Sequence, residues 1–301
     1  MSLNSYTTAI QATDVAKIKQ ILEDGGFELK PKPYAHFSAK KGKLNVTVYE
    51  KGPKVLVQGK ETEDFVRFTL EPEILGEAKL GYEEVNQPDM FEPHFGIDES
   101  GKGDFFGPLV IAGAYTDAKS TRALMDAGVM DSKRITSTAK ITKLATIIRK
   151  TPGVQYDVVS IGPEAYNKMY SSFKNLNRLL AWGHSKVIAN LLEKAPGCPR
   201  ALSDQFARKE VLEKELARHG VDIELQQRTK GESDVAVAAA SILARERFVQ
   251  WIDKSSDKSG VEIPLGAGPH VIAAARELMS AHGDDILPKV VKMHFKTTKE
   301  I

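Results

Sequence analysis

The chain of 301 residues has a single cysteine, Cys198, so neither an intrachain disulfide nor a cysteine-based metal cluster can form. Its seven histidines make no HxxxH or HxxH pair, which removes the usual helical zinc site. No GxxxxGK[ST] motif occurs, so a P-loop nucleotidase is excluded. Excess charge of one sign is lacking too: 42 Lys and Arg stand against 40 Asp and Glu, a net of +2. Any affinity for nucleic acid must therefore come from local segregation of charge. No apolar run approaches the roughly 18 residues that a bilayer crossing needs. The opening MSLNSYTTAIQATDVAKIKQ lacks an unbroken apolar core, so no signal peptide is expected. These absences leave a reducing, cytoplasmic setting as the expectation.

What is present changes along the chain. Residues 13–24 carry Val15, Ile18, Ile21 and Leu22 on one helical face, and Gly25-Gly26 stops the helix. Short alternating runs follow at 34–39, 44–49 and 54–58, separated by the turn sequences KKGK and EKGP. A fourth run at 65–70 is expected to add another strand. This pattern predicts a small α+β domain over 1–75. Between residues 29 and 60 it holds eight lysines and one acid, Glu50, with Tyr34, Phe37 and Tyr49 interleaved. From 71 to 92 the balance reverses to seven acids against Lys79, with three prolines in or just after the stretch, and 76–92 reads as a linker.

From residue 93 to 301 strands and helices alternate. Strands are expected at 95–99, 109–116, 155–161, 201–204 and 221–227. Helices are expected near 119–127, 137–150, 164–194, 207–219, 234–253 and 270–282. This is an α/β domain built on a central sheet.

One stretch, GIDESGKGDFFGPLV, places Asp98 beside Glu99 at the end of a buried strand. Adjacent like charges repel unless a cation sits between them. In a regular strand the two point to opposite faces, but at a breaking strand end the longer Glu99 can swing toward Asp98. Gly101 and Gly103 suit unusual dihedrals or the close approach of a ligand. Asp204 closes a second strand, RALSD. Glu232 and Asp234 precede a helix whose small residues, Ala236 and Ala238 to Ala240, permit close packing on a sheet. Either could be the further acid, although Asp234 is also well placed to be an ordinary N-cap. Carboxylates at strand and helix ends, with no convergent histidine, point to hard oxygen ligands for Mg²⁺ or Mn²⁺. A pair of such ions about 4 Å apart suits in-line displacement at phosphorus.

The segments GIDESGKGDFFGPLVIAG, DSKRIT, NLNRLLAWGHSKVIANLL, ALSDQF, ESDVAVAAASILAR, IPLGAGPHV and HFKTT together resemble bacterial ribonuclease HIII, of the type 2 ribonuclease H family. The lysine-rich N-terminal domain resembles the TATA-box-binding-protein-like domain of that subfamily. The resemblance implies a ribonuclease H-like fold, with a mixed five-stranded sheet flanked by helices. It implies an endonuclease that cuts the RNA strand of RNA/DNA hybrids with two divalent ions, leaving 5′-phosphate and 3′-hydroxyl ends. Asp98, Glu99 and Asp204 fall on the family's metal-binding acids. Asp98 is expected to bridge the ions while Glu99 and Asp204 hold one each. Glu232 is the expected fourth acid, with Asp234 the alternative.

Ser100, Gly101, Lys102 and Gly103 resemble the family's Gly-basic-Gly element, whose backbone reaches the 2′-hydroxyl that distinguishes RNA. Lys102 would face a phosphate, and Asp104 is left outside the metal set. Lys133 and Lys230 could contact phosphates, although each reads more simply as a surface lysine. Trp182 and Trp251 are read as core, and His294 as structural or substrate-side. The basic N-terminal stretch is expected to bind the hybrid. No obligatory protein partner is evident and a monomer is expected. Two other readings remain: ribonuclease HII-like cleavage at single embedded ribonucleotides, and a non-catalytic nucleic-acid-binding protein.

Overall fold

A computed structural model describes residues 3–76, 83–129, 135, 137–228 and 231–301. The chain divides into two compact units, Met1–Pro88 and Asp89–Ile301.

The first unit runs β1 (Ser5–Ala9), α1 (Asp14–Asp24), β2 (Glu28–Lys32), β3 (Ala35–Lys41), β4 (Leu44–Tyr49), β5 (Lys54–Gln58), α2 (Thr62–Phe65), a π-helix (Val66–Leu75) and α3 (Glu83–Asn86). Its strands pair antiparallel in the order β1-β5-β4-β3-β2. Alternation is strict where it matters. Phe37 and Ala39, Val46 and Val48, and Val55 and Val57 pack against Ile18 and Leu22 of α1 and Val66 and Leu70 of the π-helix. The other face carries Ser38, Thr47 and Tyr49. The Ser38 and Thr47 hydroxyls lie 3.1 Å apart. Lys32 and Lys54 flank the Tyr49 ring, at 5.6 and 5.8 Å from its centroid.

Two expectations fail in this unit. The run at 65–70 is not a strand. Val66 and Leu70 recur four residues apart and both are wholly buried, the spacing of a helix rather than a strand. The strands β1 and β2, absent from the sequence reading, are the two edges of the sheet. Each is mostly exposed and β2 contains Pro31, a residue confined to edges and bulges because it lacks a ladder donor.

The second unit holds a mixed sheet in the order β10-β9-β6-β7-β8. Its strands are β6 (His94–Ser100), β7 (Leu109–Thr116), β8 (Gln155–Ile161), β9 (Arg200–Asp204) and β10 (Glu224–Arg228). The first three pair antiparallel as a meander, whereas β9 and β10 run parallel to β6. The helices are α4 (Ala118–Asp126), α5 (Thr138–Lys150), α6 (Pro163–Phe173), α7 (Leu176–Lys194), α8 (Lys209–Arg218), α9 (Val235–Ser259), α10 (Pro269–His282) and α11 (Leu287–Val290). The stretch expected as one helix over 164–194 is two, because Lys174 adopts φ +51° and Asn175 then caps α7 through the Asn177 and Arg178 amides.

One core lies between the sheet and α9, α5, α4 and α10; the other lies between the sheet and α7 and α8. Trp251 packs at the margin of the first and Trp182 of the second. The contact of α9 with β6 is as close as backbones allow. A Cβ on Gly96 would lie 2.1 Å from the Ala236 carbonyl carbon and the Val237 nitrogen. The alanines of α9 thus press directly on the strand that carries the two adjacent acids. Gly96→Ala must push α9 away from β6. It is expected to cost about 3 kcal/mol, the upper end for overpacking, as a lower urea midpoint at unchanged slope.

Candidate active site

The parallel register of β6 and β9 pairs Ile97 with Ser203. Asp98 and Asp204 each follow that pair by one residue, so both strands deliver a carboxylate at the same end and on the same face. Glu99 belongs to the opposite face. Strand β6 stays regular through Ser100, so Glu99 does not swing toward Asp98; it points to α7. All three acids nevertheless line one cleft of about 440 Å³ at the strand ends, together with Ser100 to Asp104, Arg245 and Phe248.

Each side chain is held by identifiable neighbours. Asp98 Oδ1 accepts from the Glu99 amide at 2.8 Å. Asp204 Oδ1 accepts from the Gly231 amide at 3.3 Å, and Gly231 opens a 3₁₀ turn, Gly231–Ser233, directly before α9. That turn sets the Glu232 backbone beside Asp204; the Glu232 side chain is not among those described. Glu99 Oε2 faces His184 Nε2 at 3.1 Å and Oε1 faces Lys102 Nζ at 3.3 Å. Burial pushes the Glu99 carboxyl up, but the hydrogen bond and charge of His184, with Lys102, outweigh it and hold the group below the ordinary carboxylate range.

Asp234 takes the capping role. Its Oδ1 accepts from the Ala236 and Val237 amides at 2.8 and 3.2 Å, and His94 Nε2 lies 3.1 Å away. It is 5% exposed and is not among the residues that line the cleft. Lys133 and Lys230 lie outside the described residues.

The loop from Gly101 to Gly107 forms one wall. Gly101 has φ +85°, and a Cβ there would lie 2.2 Å from the Pro108 carbonyl oxygen. Gly103 differs: no atom lies within 4 Å of where its Cβ would be. Folding therefore demands glycine at 101 but only tolerates it at 103, where the missing side chain leaves room for something from outside. Asp104 turns inward and accepts from the Gly266 amide at 2.6 Å.

Lys292, unnoticed in the sequence, supports this loop from beneath. Its fully buried ammonium donates to the carbonyls of Asp104 and Phe106 at 2.9 and 3.1 Å. Burial pushes it down to about 7, with the Asp104 charge acting the other way. His294 stacks on Tyr170, centroids 4.3 Å apart, and its Nδ1 lies 3.3 Å from the Tyr166 hydroxyl. Sequence reasoning also passed over His184 and Arg245. A histidine within an apolar helical run reads as core; only its contact with Glu99 shows otherwise.

The donor set suits a hard divalent ion: carboxylate oxygens, with His184 already committed to Glu99 and Ser203. Among the described residues no three Asp, Glu, His or Cys side chains are gathered into a ready-made cage.

The family model for ribonuclease HII matches residues 95–298, and the model "Domain of unknown function (DUF3378)" matches residues 8–77. The chain belongs to the ribonuclease HII family, and is thus a ribonuclease H, a phosphodiester hydrolase. Within that class its full-length likeness is to ribonucleases HIII. It is 41% identical to the ribonuclease HIII of Protochlamydia amoebophila over 300 residues, covering 100% of this chain and 97% of that one. It is 46% identical to that of Chlamydia pneumoniae over 267 residues, covering 88% and 87%. The crystal structure of Bst-RNase HIII in complex with Mn²⁺ superposes with a TM-score of 0.68 at 28% identity, covering 98% of this chain and 97% of that one.

A buried ammonium whose folded-state pKa lies below its unfolded value costs stability at low pH, where both states are protonated. The cost fades as pH rises from about 7 toward 10.5. Relative to Lys292→Met, the native protein should lose about 1.4 kcal/mol per unit as pH falls from 10 to 7, with no further change below. Urea titrations at pH 6, 7, 8 and 9 read this directly, and a difference independent of pH would contradict it.

Proposed function

We propose that the cleft at the ends of β6 and β9 hydrolyses the RNA strand of RNA/DNA hybrids. Asp98, Glu99 and Asp204 would hold the divalent ions, Mg²⁺ or Mn²⁺, and Glu232 would be the fourth acid. The supporting observation is the convergence of Asp98 and Asp204 from parallel neighbouring strands in one cleft with Glu99. Bound there, two such ions would supply the activation of a water and the stabilisation of the departing 3′-oxygen that yield 5′-phosphate and 3′-hydroxyl ends.

The chain's own residues do the rest. Ser100 to Gly103 offer main-chain groups to a 2′-hydroxyl, and Gly103 leaves that approach open. Lys102 is 39% exposed and within reach of a phosphate. Asp104 is turned onto Gly266 and stays outside the metal set. Asp234 serves α9 rather than the ions.

The first unit, within the DUF3378 match, is the substrate-binding module in this reading. Its second sheet face carries Lys32 and Lys54 around the Tyr49 ring, a surface for phosphates and stacking. Tethered to the catalytic unit, it raises the local concentration of hybrid there. Among the described residues no helix is long and apolar enough to cross a membrane. With a single buried cysteine the cytoplasm is the compartment proposed.

Asp98→Asn should lose cleavage of a long hybrid by at least about 10³-fold while retaining hybrid affinity in a gel-shift assay. Native cleavage that continues in EDTA would contradict the use of divalent ions. The two loop glycines should separate. Gly101→Ala lowers the melting temperature, whereas Gly103→Ala leaves it unchanged and raises KM for the hybrid.

A further inference from the structure

Glu99 and Asp204 lie on neighbouring strands but face opposite sides of the sheet, and something must keep the two carboxyls in register. A buried chain of hydrogen bonds does so. His184 and Ser203 are both fully shielded from solvent. The His184 ring places Nε2 3.1 Å from Glu99 Oε2 and Nδ1 3.2 Å from Ser203 Oγ. The Ser203 hydroxyl donates in turn to the Asp204 main-chain oxygen at 2.9 Å.

We propose that the chain Glu99–His184–Ser203–Asp204 presets the orientation of Glu99 for its cation and ties it to the β9 corner that carries Asp204, making His184 a positioning residue for metal binding. This rests on the reading that Glu99 and Asp204 are metal-holding acids.

Three features separate this role from mere filling of the core. First, the neighbours of Glu99 differ in kind. Lys102 is 39% exposed and can move off Oε1, whereas His184 is enclosed, its ring tilted against Phe206 with centroids 4.7 Å apart. Oε2 is thereby the anchored oxygen and Oε1, beside Lys102, the one left on the cleft side. Second, a carboxylate can only accept, so the bond needs an N–H at Nε2, and a partner on the other ring nitrogen fixes the ring for that task. Ser203 is that partner. Third, the helix is set for the reach. Gly183 precedes His184, and a Cβ there would lie 2.6 Å from Ile111 Cδ1. The bare turn lets α7 settle onto the sheet and brings the imidazole to the strand end.

The test is Mn²⁺ affinity of the full chain without nucleic acid, read from the paramagnetic signal of free Mn²⁺, with thermal unfolding to check the fold. His184→Asn keeps a group near Ser203 but cannot reach Glu99; His184→Gln keeps a donor near Nε2. His184→Asn should weaken Mn²⁺ binding by about 10-fold or more, the usual effect of removing a support of a metal ligand, and His184→Gln should recover most of it. KM for the hybrid at saturating Mn²⁺ should not move, because neither residue faces the substrate. Ser203→Ala removes one hydroxyl and keeps the fold; it should lower affinity several-fold. Native Mn²⁺ affinity in folded His184→Asn and Ser203→Ala overturns the proposal. Failure of the native chain to bind Mn²⁺ at all overturns instead the reading of the acids beneath it.

Discussion

The parallel pairing of β6 with β9, in the register that sets Ile97 beside Ser203, brings Asp98 and Asp204 together at the same end of two interior strands. Like charges do not gather there without cost, and the surroundings are arranged around that cost. Gly231 donates its amide to Asp204, the Glu99 amide serves Asp98, and Lys102 and His184 share Glu99. The cleft they face is lined by these three carboxylates with Asp104, Lys102 and Arg245, and the carboxylates are oxygen donors of the kind a hard divalent cation takes.

The loop opposite is built to be rigid below and open above. Lys292 donates to the carbonyls of Asp104, Phe105 and Phe106, while the Gly266 amide holds the Asp104 carboxylate and its carbonyl the Phe105 amide. Gly101 packs against Phe248 and Pro108, while Gly103 touches nothing within reach of a Cβ. Burying an ammonium under this loop sacrifices stability for placement. Carbonyl partners and the Tyr166 and Phe248 rings, each about 6 Å from Nζ, only partly offset the lost hydration.

Strands of the catalytic sheet were legible where short apolar runs are bounded by turns, on the buried β7 and on the partly exposed edge strand β8 alike. Leu109 to Thr116 and Gln155 to Ile161 fall where hydrophobic runs bounded by turns placed them. The edge strands of the first unit's sheet were not legible. Ser5–Ala9 and Glu28–Lys32 bury little, so no pattern marks them. The break at Lys174 was hidden because the residues on each side of it have helical periodicity; only a left-handed residue and the Asn175 cap divide them. The run at 65–70 alternates weakly enough to pass for a strand, but its partners on α1 and the sheet hold it as a helix.

The order of residues along the chain determined the acids, the glycine-flanked lysine between them, the small residues of α9 and the family to which they belong, since these are properties of local composition and spacing. Tertiary structure decided what each acid touches. Asp234 and Glu232 are two residues apart and equally charged, yet Asp234 is drawn onto the first amides of α9 and onto His94, a residue 140 positions away. His184 looks like one more core residue until α7 lies against β6. A side chain's role there depends on which charge or dipole lies within about 3 Å of it, and that distance is set by packing between segments far apart in sequence.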